Sequence, residues 1–119
     1  MKDFRTLKVW EKAHAIVLGV YDVTAKFPPD ERFSLTSQMR RSAQSIPTNL
    51  AEGCGAGSDL DFARFAQISM RSSCELEYQF ILARDLGYLP AATYAEFDKK
   101  VVEVKRMLTA LMQRLRSES

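Results

Sequence analysis

Glu11 and His14 are spaced as Glu-x-x-His, the first arrangement in this sequence that could do chemistry. On the helices of a bundle, two such motifs and two further glutamates can hold paired iron or manganese ions. The chain has one histidine, so a second motif cannot exist within it, and we predict no metal site. His14 also shares an apolar helical face with Trp10 and Val17, which favours a histidine in a core or an interface.

The carboxylates and serines offer no catalytic arrangement either. Glu75 and Glu77 are two residues apart on a predicted helix, so they point in different directions and cannot act on one substrate. Ser69, Ser72 and Ser73 lie far from the only histidine, and no nucleophile signature surrounds them. We therefore predict that the protein is not an enzyme, uses no cofactor and has no small-molecule substrate.

The glycine-rich segment 53–57 precedes a predicted helix, as a phosphate-binding loop would. However, no strand precedes it and the Gly-Lys-Ser/Thr ending is missing, so we interpret it as a flexible connector. Gly53 is predicted to end the preceding helix as its C′ residue. The two cysteines, Cys54 and Cys74, have no metal-binding spacing and are predicted to be reduced thiols.

Arginines form the remaining candidate site. Clusters away from the termini are Arg40, Arg41, Arg64 and Arg71. Such residues could contact the phosphates of a nucleic acid, and that binding would be sensitive to salt. The net charge is only +2, whereas dedicated nucleic-acid domains tend to be far more basic. A solvated face balanced by nearby acids is the alternative interpretation.

Four helices are predicted to position these side chains. The first runs from Thr6 to about Lys26, and two prolines follow it. The second runs from near Ser34 to Glu52, and Pro47 inside it predicts a kink or a break. The third is predicted over residues 58–89, a length of about thirty residues.

The fourth helix has the clearest pattern, and a capping box of Thr93 and Glu96 is predicted at its start. Its apolar residues alternate at four and three positions along Phe97, Val101, Val104, Leu108, Leu111 and Leu115. We predict that Phe97, Val104, Leu108 and Leu111 of this stripe are buried against Leu76 and Phe80 of the third helix. Because no segment alternates with a period of two, the fold class is all-α. The architecture expected is a single domain over residues 1–119, an antiparallel up-down-up-down four-helix bundle.

The third helix has a second apolar stripe, about a third of a turn from the first. Its residues are Leu60, Ala63, Met70, Cys74, Tyr78 and Ile81. A helix that is apolar on more than one side is usually buried on more than one side, so we predict that this stripe contacts another copy of the chain. No apolar run is long enough to cross a membrane and the N-terminus has no signal-peptide pattern, which predicts a cytoplasmic protein.

Several segments, in order along nearly the whole chain, carry a family resemblance. They are Leu-Lys-Val-Trp-Glu-Lys-Ala from residue 7, Ser-Ile-Pro-Thr-Asn-Leu-Ala-Glu-Gly from residue 45, Glu-Leu-Glu from residue 75 and Leu-Gly-Tyr-Leu from residue 86. With these motifs the sequence resembles the S23-like bacterial four-helix bundle proteins, which are encoded in intervening sequences of the large-subunit ribosomal RNA gene.

This resemblance implies a non-enzymatic, oligomeric binding protein, with five subunits as the preferred number. Its implied partners are RNA or a nucleic-acid-binding protein, and the alternative is a protein-interaction scaffold that binds no nucleic acid. Two positions depart from the family pattern. The connector at residues 54–57 lacks a basic residue that the family often carries, which weakens the implication of nucleic-acid binding. Arg71 stands where the family often has glycine, which affects the packing expected along the third helix.

Overall fold

The computed structural model describes residues 3–118 and places them in four α-helices joined by short connections. The helices are α1 (Lys8–Thr24), α2 (Leu35–Cys54), α3 (Asp59–Asp85) and α4 (Ala91–Glu118). Short 3-10 turns at Phe4–Thr6 and Pro29–Glu31 precede α1 and α2. The described residues contain no strand, which confirms the predicted all-α fold class.

Neighbouring helices run in opposite directions. Ser42 of α2 contacts Glu75 of α3, and Ser45 contacts Ser72, so residue numbers rise on one helix as they fall on the other. The same reversal occurs between α1 and α2 (Tyr21–Gln44, Thr24–Arg40) and between α3 and α4 (Gln67–Arg116, Phe80–Phe97). α1 and α3 each contact both α2 and α4 but not each other, so they lie on a diagonal of the bundle.

The core is built around the predicted stripe of α4, whose six apolar residues are all buried. Leu76 and Phe80 of α3 are fully enclosed, and the rings of Phe80 and Phe97 stack with centroids 4.7 Å apart. Aromatic pairs at this separation add to the stabilisation from apolar burial. The predicted burial of Phe97, Val104, Leu108 and Leu111 is therefore confirmed, and Phe97 packs against Phe80 as predicted.

α3 ends four residues before the predicted Leu89. Gly87 has φ of +82°, a left-handed conformation that glycine adopts without steric cost. Its N–H donates to the carbonyl of Arg84, and the N–H of Tyr88 donates to the carbonyl of Ala83, both at 2.9 Å. These two bonds form a Schellman motif, which satisfies carbonyls at the end of the helix and stops it there.

α4 begins earlier than predicted, at Ala91, so Thr93 lies inside the helix and the predicted capping box is wrong. The carbonyl of Pro90 accepts the first helical bond, from the N–H of Tyr94 at 2.9 Å. Pro90 is therefore the N-cap residue, whose own N–H makes no bond within the helix, so the missing N–H of proline costs the helix nothing.

α2 continues through Pro47 without a break, contrary to one of the two predicted outcomes. Two side-chain donors lie at this turn: Ser69 Oγ donates to the carbonyl of Ile46 at 2.8 Å, and Asn49 Nδ2 donates to the carbonyl of Ser45 at 2.8 Å. The helix also passes through Gly53, which is therefore not the C′ residue, and it ends at Cys54.

Candidate interaction surfaces

The structure divides the second stripe of α3 between the core and the surface. Ala63, predicted to lie in an oligomer interface, is only 3% exposed and belongs to the core. Met70 and Ile81 are half-buried, and Met70 packs against the core. The reason is that α3 packs against both α2 and α4, so one chain already covers part of both stripes.

Leu60 and Tyr78 remain outside, with 51% and 60% of their surface exposed. Eighteen residues separate them, which is five full turns, so they point in the same direction from α3. Arg64 and Arg71 lie between them on the same line. We call these four residues the α3 outer face. Cys74 is also exposed, near one edge of this face.

The four candidate arginines do not form one patch. Arg64 is paired with Asp61 at 3.0 Å, one turn away on its own helix. Arg41 and Arg71 are exposed, on α2 and α3 respectively. Arg40 is half-buried and faces α1, a helix that does not contact α3. Arg40 therefore belongs to a different surface from Arg64 and Arg71.

Hydroxyl groups connect α2 with α3, and we call Ser42, Ser45, Ser69 and Ser72 the serine seam. Ser72 Oγ donates to Ser45 Oγ at 2.7 Å, and Ser69 Oγ donates to the carbonyl of Ile46 at 2.8 Å. Ser42 Oγ donates to Glu75 at 3.3 Å, so Glu75 bonds across the helix pair. Three side-chain hydrogen bonds from these serines therefore join α2 to α3.

A cleft of about 330 Å³ lies at the connection between α1 and α2. Its walls include Thr24, Pro28, Pro29, Arg32, Thr36 and Arg40, which we call the arginine cleft. Arg40 Nε donates to Thr24 Oγ1 at 2.9 Å, and its guanidinium carbon lies 4.5 Å from the ring centroid of Tyr21. Sequence reasoning missed this site because its residues come from two helices and the turn between them.

The histidine, cysteine and acidic side chains of the described residues form no metal-binding cluster. His14 is exposed and stacks on Trp10, with ring centroids 5.1 Å apart, so it is not a core residue. Residues 3–118 contain no group of three histidine, cysteine or acidic side chains that could hold a metal ion. Lys105 Nζ donates to Glu77 at 2.7 Å, and this bond raises the pKa of Lys105 above its ordinary value.

The sequence profile of the 23S rRNA-intervening sequence protein family matches residues 5–110. The chain belongs to this family. The family resemblance in the sequence motifs is thereby confirmed. Neither the family description nor the structural neighbour described next names a reaction, a ligand or a subunit number.

The fold of this chain is similar to that of a solved protein of unknown function. That protein comes from Bacteroides thetaiotaomicron VPI-5482 and is assigned to the S23 ribosomal protein family. The TM-score is 0.82 at 22% sequence identity, and the similarity covers 88% of this chain and 95% of the other. No curated protein matches the chain. Within residues 3–118, no helix has the length and apolar character needed to span a membrane.

Proposed function

We propose that this family member is a non-enzymatic binding protein that forms a homo-oligomer through the α3 outer face. The observation that carries the proposal is the exposure of Leu60 and Tyr78 on one line of α3. Apolar side chains that remain in water are stabilised when a partner covers them, by about 25 cal/mol for each Å² of apolar surface. Arg64 and Arg71 lie between Leu60 and Tyr78 on this face, and they can pair with acidic groups of a second copy of the chain.

The proposed subunit number is five, which rests on the family resemblance alone. A closed ring of five requires a head-to-tail contact, in which the α3 outer face of one copy meets a different face of the next. The contact need not be strongly apolar, because interfaces between proteins commonly combine aromatic and arginine side chains. Tyr78 and Arg71 are residues of the types that dominate binding energy in such contacts.

RNA, alone or in a ribonucleoprotein, is the second proposed partner. The family description connects these proteins with the 23S rRNA. Arg41 and Arg71 are exposed, and neither is paired with a carboxylate among the described residues, so both are available to phosphates. The alternative is a scaffold that contacts only protein. Salt dependence separates the two, because phosphate contacts release counterions and weaken steeply as salt rises.

Light scattering at micromolar concentration tests self-association. The wild-type protein should be larger than a monomer, and Tyr78→Glu should dissociate it by placing a charge in an apolar contact. Met70 is a poor position for this test because it packs against the core. Gln113→Glu, on an exposed position of α4, is the matched control and should stay assembled. A monomeric wild type would contradict the oligomer.

Co-purification tests the second partner. RNA should accompany the protein from its native host and be released as salt rises, and Arg41→Gln with Arg71→Gln should weaken this association. Recovery of a protein without RNA, at a level independent of salt, would support the scaffold instead.

A further inference from the structure

We propose that the arginine cleft binds a backbone phosphate of single-stranded RNA, and that Phe33 beside it stacks on a base. This inference rests on the proposed binding of RNA and extends it, because it names the binding site and the form of RNA that would bind there. It concerns a different surface from the α3 outer face and from Arg41.

Arg40 is held in place before any ligand arrives. Its Nε donates to Thr24 Oγ1, its plane lies over the ring of Tyr21, and the hydroxyl of Tyr21 accepts a bond from Gln44 Nε2. These contacts use one N–H of the guanidinium and leave its two terminal nitrogens without an acceptor among the described residues. A fixed guanidinium with free terminal N–H groups can bind a phosphate through two parallel bonds.

The surroundings of Arg40 favour an anion. Arg32 and Arg40 line the cleft together and no carboxylate of the described residues does so. Glu31, the nearest acid in the chain to Arg32, accepts from the hydroxyl of Tyr88 and from the N–H of Leu35. Thr36, also in the cleft, belongs to the first turn of α2, where the helix dipole is positive. The positive charge in the cleft is therefore not neutralised by a side chain within it.

Phe33 suggests RNA with unpaired bases. It is 87% exposed, the most exposed large apolar side chain of the described residues, and the Arg32 guanidinium lies 5.2 Å from its ring centroid. Proteins that bind single strands combine basic grooves with aromatic side chains on which bases stack, since every base has a flat face. Bases in a duplex are already stacked, so an exposed ring of this kind suits a single strand better.

Binding of a fluorescent single-stranded oligouridine to the full chain, measured from low to moderate salt, tests the inference. Arg32→Gln and Arg40→Gln should each weaken binding and lower the slope of log K against log salt by about 0.7, the amount for one phosphate contact. Phe33→Ala should weaken binding by roughly tenfold with an unchanged slope. Arg106→Gln, on the exposed side of α4 diagonal to α2, is the matched control and should bind as the wild type does.

The Arg32→Gln variant should not disturb folding, because the Arg32 side chain makes no hydrogen bond or ion pair in the described structure. A loss of binding in this variant therefore reports on the cleft itself. Binding that is unaffected by Arg32→Gln, Arg40→Gln and Phe33→Ala, while the wild type binds, would overturn this inference and leave RNA binding by the protein intact. If the wild-type protein binds no oligouridine, the proposed function of RNA binding is itself contradicted. Binding of inorganic phosphate in the cleft without oligouridine, or of a duplex in preference to a single strand, would overturn the assignment to single-stranded RNA.

Discussion

A Cβ atom added to Gly53 would lie 2.5 Å from Cδ1 of Phe62, across the contact between α2 and α3. Gly53 is in the last turn of α2 and Phe62 is in the first turn of α3, and both residues are buried. Glycine is therefore needed here to let an aromatic ring pack directly on the helix backbone. Its backbone conformation is helical and makes no demand for glycine.

Gly53→Ala should lower the free energy of unfolding by about 1–3 kcal/mol, because the new methyl group would overlap the buried ring of Phe62 and force it to shift. Chemical denaturation measures this change. Gly57→Ala is the control, since no atom lies within 4 Å of its added Cβ and its φ is not positive. Equal stability of the two variants would mean that Phe62 can shift freely.

Leu108→Ala should cost about 2–5 kcal/mol, through the lost transfer energy of the side chain and the cavity that remains. Leu108 is fully buried in the middle of the core stripe of α4. Thermal or chemical unfolding measures the loss, and Ala110→Ser, on the exposed side of the same helix, should change stability little. A loss of less than about half a kcal/mol for Leu108→Ala would contradict its place in the core.

The Tyr88 hydroxyl donates to Glu31 Oε2 at 2.8 Å, and this bond raises the pKa of Tyr88 because the carboxylate favours the protonated phenol. A raised pKa in the folded state means that the stabilisation is complete below about pH 10, the ordinary value for tyrosine, and is lost as pH rises through the folded pKa. In an absorbance titration of the four tyrosines, the last one to ionise should disappear in Tyr88→Phe.

Tyr78→Phe supplies the comparison for that titration, because Tyr78 is exposed and makes no such bond. It should leave the late ionisation in place. The stability difference between wild type and Tyr88→Phe should also vanish in strongly alkaline solution. A difference that stays constant past the last ionisation would show that the hydrogen bond is not its source.

Removal of divalent metal should leave the protein unchanged. The carboxylates and the single histidine form no closed set of ligands within residues 3–118, and structural metal sites contribute folding energy that a chelator removes. Melting curves with and without chelator should therefore coincide, and elemental analysis should find no stoichiometric metal. A marked drop in melting temperature on chelation would contradict this expectation.

The bundle could be predicted from the sequence because its determinants are local and repeated. Apolar residues spaced alternately by four and three positions along α4 specify a buried stripe. A glycine that follows a helical pattern marks the end of the helix, as Gly87 does here. The end of α3 and the start of α4 were misplaced because two alternatives competed within a few residues. The first bond of α4 is accepted by Pro90, three residues before the predicted Thr93 cap, and Gly87 closes its Schellman motif before Leu89 is reached.

The surfaces were less predictable, since they depend on where neighbouring helices lie. A helical projection shows that Ala63 and Tyr78 are on related sides of α3, but only the position of α4 decides that the first is covered and the second is not. The arginine cleft depends on the same kind of information. Thr24 and Arg40 are sixteen residues apart in the chain, and only the antiparallel packing of α1 and α2 brings them into contact.

The serine seam has a consequence for how many folded arrangements the chain can adopt. A purely apolar contact between two helices tolerates sliding by one turn, because one aliphatic side chain can replace another. Between α2 and α3, such a slide would separate Ser72 from Ser45 and Ser69 from the carbonyl of Ile46, leaving buried hydroxyls without partners at a cost of about 1–3 kcal/mol each. The seam therefore selects a single alignment of α2 and α3 along their lengths.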